Sequence, residues 1–585
     1  MKRKCLMLLA MLCALTLTAC TANTPKTQNS PDDPAEEPRR LAVEKSAAPD
    51  RSIEDNEALY DYDPLDVVCF YVTVTGGNAA DGTDHTLAEV NSYLNLQGME
   101  NVEKIYTQVI LQAGDEEGPL RGEVGYNALA ANATMNVRGR TSTGYPQKSY
   151  RFTLYDNAGF WRGQRAIALN KHPADLTRLR NMLYFQLLED VPSIPSLRTQ
   201  FVRLYVKDLT ADPPARTFED YGLYTQVELP NNRYLRNHGL SINGNLYKAQ
   251  MCEMYRYPDK LKLATDPGYD PADFATVLEP KTGEDHTKLL QMLDAVNDYG
   301  TPIEDVVEKY FDPDNLTSYL AFNLLMGNED SNAQNYLLYS PVNSQKWYYL
   351  CWDGDGCLHY GEDDMLDNSF EVSPWTRGVS DYWGVVLFNR LLRTEAFRQA
   401  LNEKVEMLRG IITPERVSEM VESYRRVTDP YTQRLPDSVN MRVTTAQREK
   451  ILPTLADDVK RSYQYYLESL EKPMPFFMGE VSIENGALIF NWNAAYDFGG
   501  EFVRYDVQLA SDWRFGDVLW EKKGILENQA SCPVPEAGEY FWRVTAVNES
   551  GHSQVAFDSI VTATGAHHGM RRFILREHEE VVNPE

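Results

Sequence analysis

The stretch from Ser318 to Leu358 restricts the fold of this chain more than any other, because it changes character repeatedly within a short span. An apolar helix runs to Met326-Gly327-Asn328, where it turns, and the polar run Glu329 to Gln334 follows. Asn335 leads into the alternating strand Tyr336-Leu337-Leu338-Tyr339. After a turn at Pro341 to Asn343, a second aromatic strand, Trp347 to Trp352, ends in Asp353-Gly354-Asp355-Gly356. Aromatic and alternating runs bounded by Gly, Pro, Asn and Asp read as strands. Helix, loop and hairpin therefore converge on a cluster of carboxylates.

The residue types in that cluster suit phosphoryl transfer. Asp330 and Asn335 are five apart, and Asp353 ends the second strand just before a glycine. Protein kinases use the same order: a loop Asp that accepts the hydroxyl proton, an Asn five residues on that holds a metal, and a strand-end Asp before Gly that holds Mg²⁺. The chemistry asks for hard oxygen ligands facing the phosphates and one carboxylate that orients the attacking hydroxyl. The loop alone also fits an ordinary turn, since Asn, Asp and Gly dominate turns for conformational reasons. A following hydrophobic strand and Asp-Gly-Asp narrow the choice. A calcium loop at Asp353 is excluded, because an EF-hand needs Gly at its sixth position and Glu at its twelfth, where this chain has Leu358 and Asp364.

A chain of 585 residues has room for a large core and an accessory domain. Lys and Arg total 57 against 85 Asp and Glu, a formal net charge of -28, and no basic stripe interrupts this excess. That balance speaks against nucleic acid as a partner, and a basic protein substrate would be attracted. Residues 1–20 read as an export signal: Lys2, Arg3 and Lys4, an apolar run from Cys5 to Leu17, then Leu17-Thr18-Ala19-Cys20. That ending resembles a bacterial lipobox, which implies cleavage before Cys20 and lipidation of its thiol; the bland alternative is an ordinary secretory signal. The expected location is the extracytoplasmic face of a bacterial membrane, held by the lipid anchor. Residues 21–58 are rich in Pro, Ser, Asp and Glu and read as a disordered tether. Beyond Cys20 the cysteines are Cys69, Cys252, Cys351, Cys357 and Cys532, an odd set without Cys-x-x-Cys spacing. That argues against a zinc site or a disulfide framework. Cys351 and Cys357 either pair across the Asp-Gly-Asp turn or remain buried thiols.

Strands are expected at Leu65 to Thr75, Lys104 to Gln112, Ala133 to Arg138, Gln147 to Leu154, Gln200 to Lys207, Tyr221 to Leu229 and Asn245 to Gln250, with a short helix around Leu87 to Leu96. Lys148 sits near the start of its strand, where a lysine either meets nucleotide phosphates or is a solvated edge residue. Asp175 to Asp190 carries Leu176, Leu179, Leu183 and Leu187 at helical spacing, with Asp175 as N-cap. Strands followed by mostly helical sequence indicate an α+β fold. The later helices are Val385 to Arg393, Glu395 to Arg409, Pro414 to Arg425 and Ile451 to Leu470, with Pro414 at a first helical position behind Thr413. Glu362, Asp363, Asp364 and Asp367 read as solvated surface or as a grip for a basic segment.

Several of these runs together resemble the CotH kinase family. They are Arg138-Gly-Arg-Thr-Ser-x-Gly-Tyr-Pro-x-Lys148-Ser-Tyr-Arg, Asp175 with Leu179-Arg180-Asn181, and Tyr221-Gly222-Leu223-Tyr224 with Glu228. Gly244-Asn245-Leu246-Tyr247-Lys248, the Asp330 to Asn335 loop and Trp352-Asp353-Gly-Asp355 complete the series, in family order over roughly residues 65–470. The resemblance implies an atypical protein-kinase-like fold over residues 59–472. It also implies ATP and Mg²⁺ or Mn²⁺ as cofactors, and transfer of the γ-phosphoryl group to Ser or Thr of an exported or cell-surface protein. It carries the catalytic role onto Asp330, the nucleotide-phosphate role onto Lys148, and metal ligation onto Asn335 and Asp353, with Asp355 as a second metal candidate. Trp347 would pack on adenine or belong to the core; Arg138 and Arg140 would touch phosphates or brace their loop. Ser331 and Asn332 depart from the basic residues many members carry after the catalytic Asp. The carboxylate that would fix Lys148 is not evident, with Glu189 and Glu228 as candidates. The alternative reading is a catalytically inactive cell-surface adhesion or scaffold protein on the same fold.

Residues 473–565 read as repeated strands, Ala487 to Trp492, Glu501 to Ala510, Val518 to Lys522 and Gly538 to Asn548. Trp492 early and Tyr540-Phe541-Trp542-Arg543-Val544 late resemble an all-β sandwich of the fibronectin type III or immunoglobulin-like kind. Residues 566–585 form a mixed-charge tail with room for one short helix.

Overall fold

The computed structural model of the chain describes residues 53–96, 102–366, 372–577 and 580–584; the expected export signal with Cys20, the expected tether up to residue 52 and Asp367 lie outside them. Eight strands open the fold: β1 (Val67–Val74), β2 (Thr107–Asp115), β3 (Gly118–Pro119), β4 (Ala133–Arg138), β5 (Ser149–Leu154), β6 (Ala166–Asn170), β7 (Thr199–Asp208) and β8 (Glu219–Val227). They pair in the order β1-β7-β8-β6-β5-β4-β2-β3, and β2 also pairs with β1, so seven of them close into a ring. Closure removes the exposed edges that an open sheet would have to protect. Alternation then decides which side chains fill the ring. Ala133, Met135 and Val137 of β4 face Leu154, Phe152 and Tyr150 of β5 in one enclosed core, sealed by Leu87, Val90 and Tyr93 of the short helix Leu87–Ser92 and its C-cap. Asn136, Arg138, Ser149 and Arg151 occupy the opposite parity and point outward.

A second sheet holds the hairpin that runs from Asn335 to Asp353. Its strands, β9 (Asn245–Ala249), β10 (Leu278–Thr282), β11 (Tyr336–Ser340) and β12 (Tyr348–Cys351), run in the order β10-β9-β11-β12, all antiparallel. Behind it lies the helix Pro313–Met326, in which every residue from Asn315 to Met326 is buried. Asp312 caps it by accepting from the Asn315 amide at 2.8 Å, and Pro313 takes the first position, where its missing donor costs nothing. Gly327 ends it in the left-handed region (φ 55), with the Ser462 hydroxyl 2.8 Å from where a Cβ would stand. The helices Glu395–Arg409, Pro414–Thr432 and Thr454–Glu471 complete this half of the core. The expected N-cap at Asp175 is not observed: the helix there is Arg180–Leu188, and the Asp175 carboxylate is engaged in an ion pair.

The C-terminal region is a sandwich of two sheets. Ser482–Glu484, Ala487–Asn491 and Gln529–Pro533 form one; Arg504–Ala510, Val518–Ile525, Gly538–Val547, Met570–Arg576 and Glu580–Val582 form the other. Phe490, Trp492, Trp542 and Phe573 fill the space between. The tail forms strands rather than a helix. Phe573 and Leu575 alternate inward, and Phe573 pairs with Tyr540 across the sheet, so the period of two outweighs the charges between them. All five described cysteines are buried and free, Cys351 and Cys357 included.

The ordered body also begins before residue 59, because Asp55 is held from within. His238, fully buried, faces Asp55 through Nδ1 at 2.5 Å and Glu228 through Nε2 at 3.1 Å. Arg198 adds two bonds to Glu228 at 2.9 and 2.6 Å. Burial pushes the Glu228 carboxyl up, but the Arg198 and His238 bonds outweigh it and hold the group at about 2. Burial lowers His238, and its two carboxylate partners reverse that and raise it. The Glu228 contribution, about 3 kcal/mol, is present above the ordinary carboxylate range and is lost as pH falls toward about 2. The His238 contribution is complete below the ordinary imidazole range and is lost as pH rises through its raised value. The melting temperature should therefore fall at both ends of a pH 2–9 series. Glu228→Gln should flatten the acid limb and His238→Gln the alkaline one; unchanged limbs in both variants would remove this network from the stability of the fold.

Candidate active site

The hairpin places the first groups. The Trp352 amide donates to the Asn335 carbonyl at 3.1 Å, the last rung beyond the β11–β12 ladder, so Asn335 and Asp353 stand side by side at its open end. Both hold left-handed backbone (φ 55 and 55), as do His172 (φ 46) and Leu358 (φ 48) nearby. Non-glycine residues in that region cost energy and gather where surrounding structure imposes a special geometry. Asn335 Nδ2 donates to Asp330 Oδ2 at 2.7 Å, and Gln334 Nε2 donates to the other oxygen. Asp330 reaches solvent. Burial and then the nearby Asp355 charge raise its pKa.

Asp353 and Asp355 turn around Gly354, whose position has no room for a Cβ: one would stand 2.1 Å from Tyr184 Cγ. Asp353 Oδ1 accepts from Asn181 Nδ2 at 3.2 Å, and Asp355 Oδ2 faces His172 Nδ1 at 3.2 Å. Burial, then repulsion from Asp355, pushes the Asp353 carboxyl up. Among the described residues no Lys or Arg pairs directly with Asp353. A buried ion network holds the turn from behind. Arg180 binds Asp175 at 2.7 Å and Glu362 at 2.6 Å, and its guanidinium also donates to the Leu358 carbonyl at 3.3 Å. Burial raises the Asp175 pKa, but Arg180 and the Thr177 and Arg180 hydrogen bonds overcome this and bring it below the ordinary carboxylate range.

The cations divide differently from the sequence expectation. Arg138 points outward from β4 and makes no hydrogen bond or ion pair among the described residues, though Asp353 and Asp355 act on it electrostatically. Burial brings it down to about 10. Lys148 shares the parity of Tyr150, Phe152 and Leu154, which face into the ring, and its ammonium donates to the Thr143 carbonyl at 2.5 Å. The structure therefore does not bring Lys148 to the carboxylates. Lys248 stands there instead: on β9 it lies opposite Leu337 of β11 and Glu279 of β10, with its ammonium 5.1 Å from the Trp352 ring centre. Burial and then Lys281 lower it to about 8, against the pull of Glu279 and Asp353. Glu279, opposite it on β10, pairs with Lys281 at 2.5 Å and accepts from Gln250 at 2.9 Å; Lys281, Lys248 and Lys104 lower its pKa against its burial. Glu189 and Glu228, the sequence candidates for fixing Lys148, are bonded to Gln186 and to Arg198 with His238. The motif Gly244–Lys248 was a signal for Lys248, but only strand pairing identifies its neighbours.

Trp347 belongs to the core. It has no exposed surface, packs against Tyr247 at 6.0 Å and donates its backbone amide to the Tyr310 carbonyl at 2.7 Å, so adenine has no access to it. Arg140 is exposed. The acidic run is spoken for internally: Glu362 pairs with Arg180, Asp363 with His359 and Asp364 with Arg461. Ser331 and Asn332 brace the loop, through the Tyr382 hydroxyl at 2.7 Å and the Asp381 carboxylate at 2.9 Å.

Among the described residues no three His, Cys, Asp or Glu side chains gather closely enough to cage a metal. Mg²⁺ does not require such a cage, since one or two carboxylates with substrate phosphates and waters suffice. Asp353, Asp355 and the Asn335 amide fit that donor set, and Arg138 and Lys248 fit the phosphates. Removing one partner of the buried Asp175–Arg180 pair should cost about 3–5 kcal/mol, read as a lower melting temperature for Arg180→Ala. Lys248→Met should weaken binding of a fluorescent ATP analogue at least about tenfold, the size expected for a charge-assisted bond, whereas Lys148→Met should leave it within about twofold. The reverse order would return the phosphate role to Lys148.

No curated protein matches the sequence. A family model described as CotH kinase protein matches residues 135–466, more than half of the chain, and takes in β4 from Met135 onward, β5 through β12, the Asp175–Arg180 pair and the Asp330, Asn335 and Asp353 cluster. The chain belongs to the CotH kinase protein family.

Proposed function

We propose that the chain transfers the γ-phosphoryl group of ATP to a Ser or Thr hydroxyl of an exported or cell-surface protein, on a catalytic region of protein-kinase-like fold. The observation that carries this reading is the junction at the hairpin end. Asp330 and Asn335 are bonded to each other, Asp353 stands on the adjoining strand, and Arg138 and Lys248 face the carboxylates without bonds of their own. Phosphoryl transfer needs positioning and charge stabilisation more than covalent chemistry. Arg138 and Lys248 would bear the phosphates, and Asn335 and Asp353, with Asp355 beside them, would hold Mg²⁺ or Mn²⁺. Such an ion, when bound, supplies neutralisation of phosphate charge. Asp330 would accept the hydroxyl proton as the oxygen attacks phosphorus and ADP departs; its raised pKa makes it a better base.

The same reading places the protein outside the cytoplasm, carried by the export signal and held by a lipid on Cys20, with a fibronectin-like sandwich as spacer or binding module. The net charge of -28 favours a basic acceptor segment through long-range attraction, since Glu362 to Asp364 are engaged within the protein.

The test is label transfer from γ-labelled ATP to a basic Ser-rich acceptor with Mg²⁺ or Mn²⁺. Wild type should label the acceptor, and Asp330→Ala and Asp353→Ala should each lose at least about 100-fold, the scale of a general base. Transfer that survives both substitutions would sink the mechanism. Metal-dependent nucleotide binding without transfer would favour an inactive kinase fold, and no binding at all the scaffold reading.

A further inference from the structure

A cavity of about 390 Å³, within the range of small-molecule sites, lies away from the active site, where the catalytic region meets the sandwich. Ser373, Arg377 and Ser380 form one wall, Tyr465, Ser469 and the carboxylate-bearing Glu468 of the helix Thr454–Glu471 another, and Gln554 of the sandwich a third. Arg377 is its fixed cation. The guanidinium lies 5.2 Å from the Tyr360 ring centre and 4.4 Å from that of Tyr465, and it donates to the Tyr465 hydroxyl at 2.9 Å. No carboxylate pairs with it among the described residues, and its Nε is buried without a partner. A guanidinium presents five donors in a rigid fork that matches oxyanions, and here most of that fork is unused. Lys472 adds a second cation at the rim, only loosely held by Glu468 at 3.7 Å. The Ser380 hydroxyl makes no hydrogen bond among the described residues. Several donors around a cavity too large for a bare ion suit a phosphate group attached to a larger body.

The same wall reaches the catalytic loop. Ser380 lies in the turn Gly378–Tyr382, and the next two residues are those that hold the loop: Asp381 accepts from Asn332 at 2.9 Å, and the Tyr382 hydroxyl meets Ser331 Oγ at 2.7 Å. Tyr360, stacked under Arg377, follows His359, which faces Glu329 at 3.5 Å. Both routes end on residues beside Asp330.

We propose that this cavity binds a small phosphate monoester through Arg377, and that occupancy stiffens the Asp330 to Asn335 loop. The test needs no transferase activity. The full chain is titrated calorimetrically with O-phosphoserine, with glucose 6-phosphate and with glucose, and amide hydrogen exchange is followed across residues 329–335. At least one ester should bind saturably, about tenfold more weakly in Arg377→Gln and more weakly also in Lys472→Gln, a rim change that leaves the core untouched. Binding should persist in Lys248→Met, which separates this cavity from the nucleotide site, and exchange in the loop should slow. O-phosphoserine alone would point to a phosphorylated protein side chain as source, and glucose 6-phosphate alone to a free sugar phosphate. Binding lost in Lys248→Met but kept in Arg377→Gln, glucose binding as well as its phosphate, or no saturable binding would overturn the site. Binding without any change in loop exchange would overturn the coupling.

Discussion

The buried guanidinium of Arg180 is the interaction on which the site depends. It lies at the start of a helix packed under the ring of strands, yet it bonds Asp175 before that helix and Leu358 and Glu362 after the Asp353–Asp355 turn. Burying a charge is expensive unless it is paired and hydrogen-bonded. Arg180 is satisfied only when the two halves of the molecule are in register. The network thereby fixes the Asp353–Asp355 turn against the helix that Arg180 opens.

From that registration follow two groups of unlike charge set near one another. Strand β4 presents Arg138 and β9 presents Lys248, while the hairpin end presents Asp330, Asp353 and Asp355. The opposed charges act on one another without closing into contact pairs, since the described residues give Arg138 and Lys248 no ion-pair partner. An internal salt bridge would have satisfied these groups and ended their use. Holding them apart leaves unspent potential in a partly dehydrated space, where a metal-bound polyphosphate would gain most from it. Glu279 moderates the lysine side by sitting among Lys104, Lys248 and Lys281.

The loop that carries Asp330 is braced along its length. Asn335 and Gln334 hold the carboxylate, Ser331 and Asn332 tie the backbone to the turn at Tyr382 and Asp381, and the Tyr319 hydroxyl bonds the Ser331 carbonyl. Ser331 and Asn332 thus have a structural use: short polar side chains reach neighbours that a lysine or arginine would overshoot.

Much of this was legible in the sequence wherever the determinant is local. The hairpin from Tyr336 to Cys351, the helix Glu395–Arg409 with its bounds, Pro414 behind its Thr413 cap, and the company of Asp330, Asn335 and Asp353 all follow from spacing and turn chemistry within a few tens of residues. The choice of Lys248 over Lys148, the burial of Trp347, the partner of Asp175 and the strands of the tail were not legible. The lysine and the tail depend on which strand lies beside which, and β9 meets β11 across some ninety residues of intervening chain; the Asp175–Arg180 pair, though only five residues apart, forms because Leu358 and Glu362 enclose the same guanidinium. Local preference sets the period of a strand, and so which residues share a face. Only closure of the ring and pairing of the second sheet decide whether that face looks into a core or toward the carboxylates.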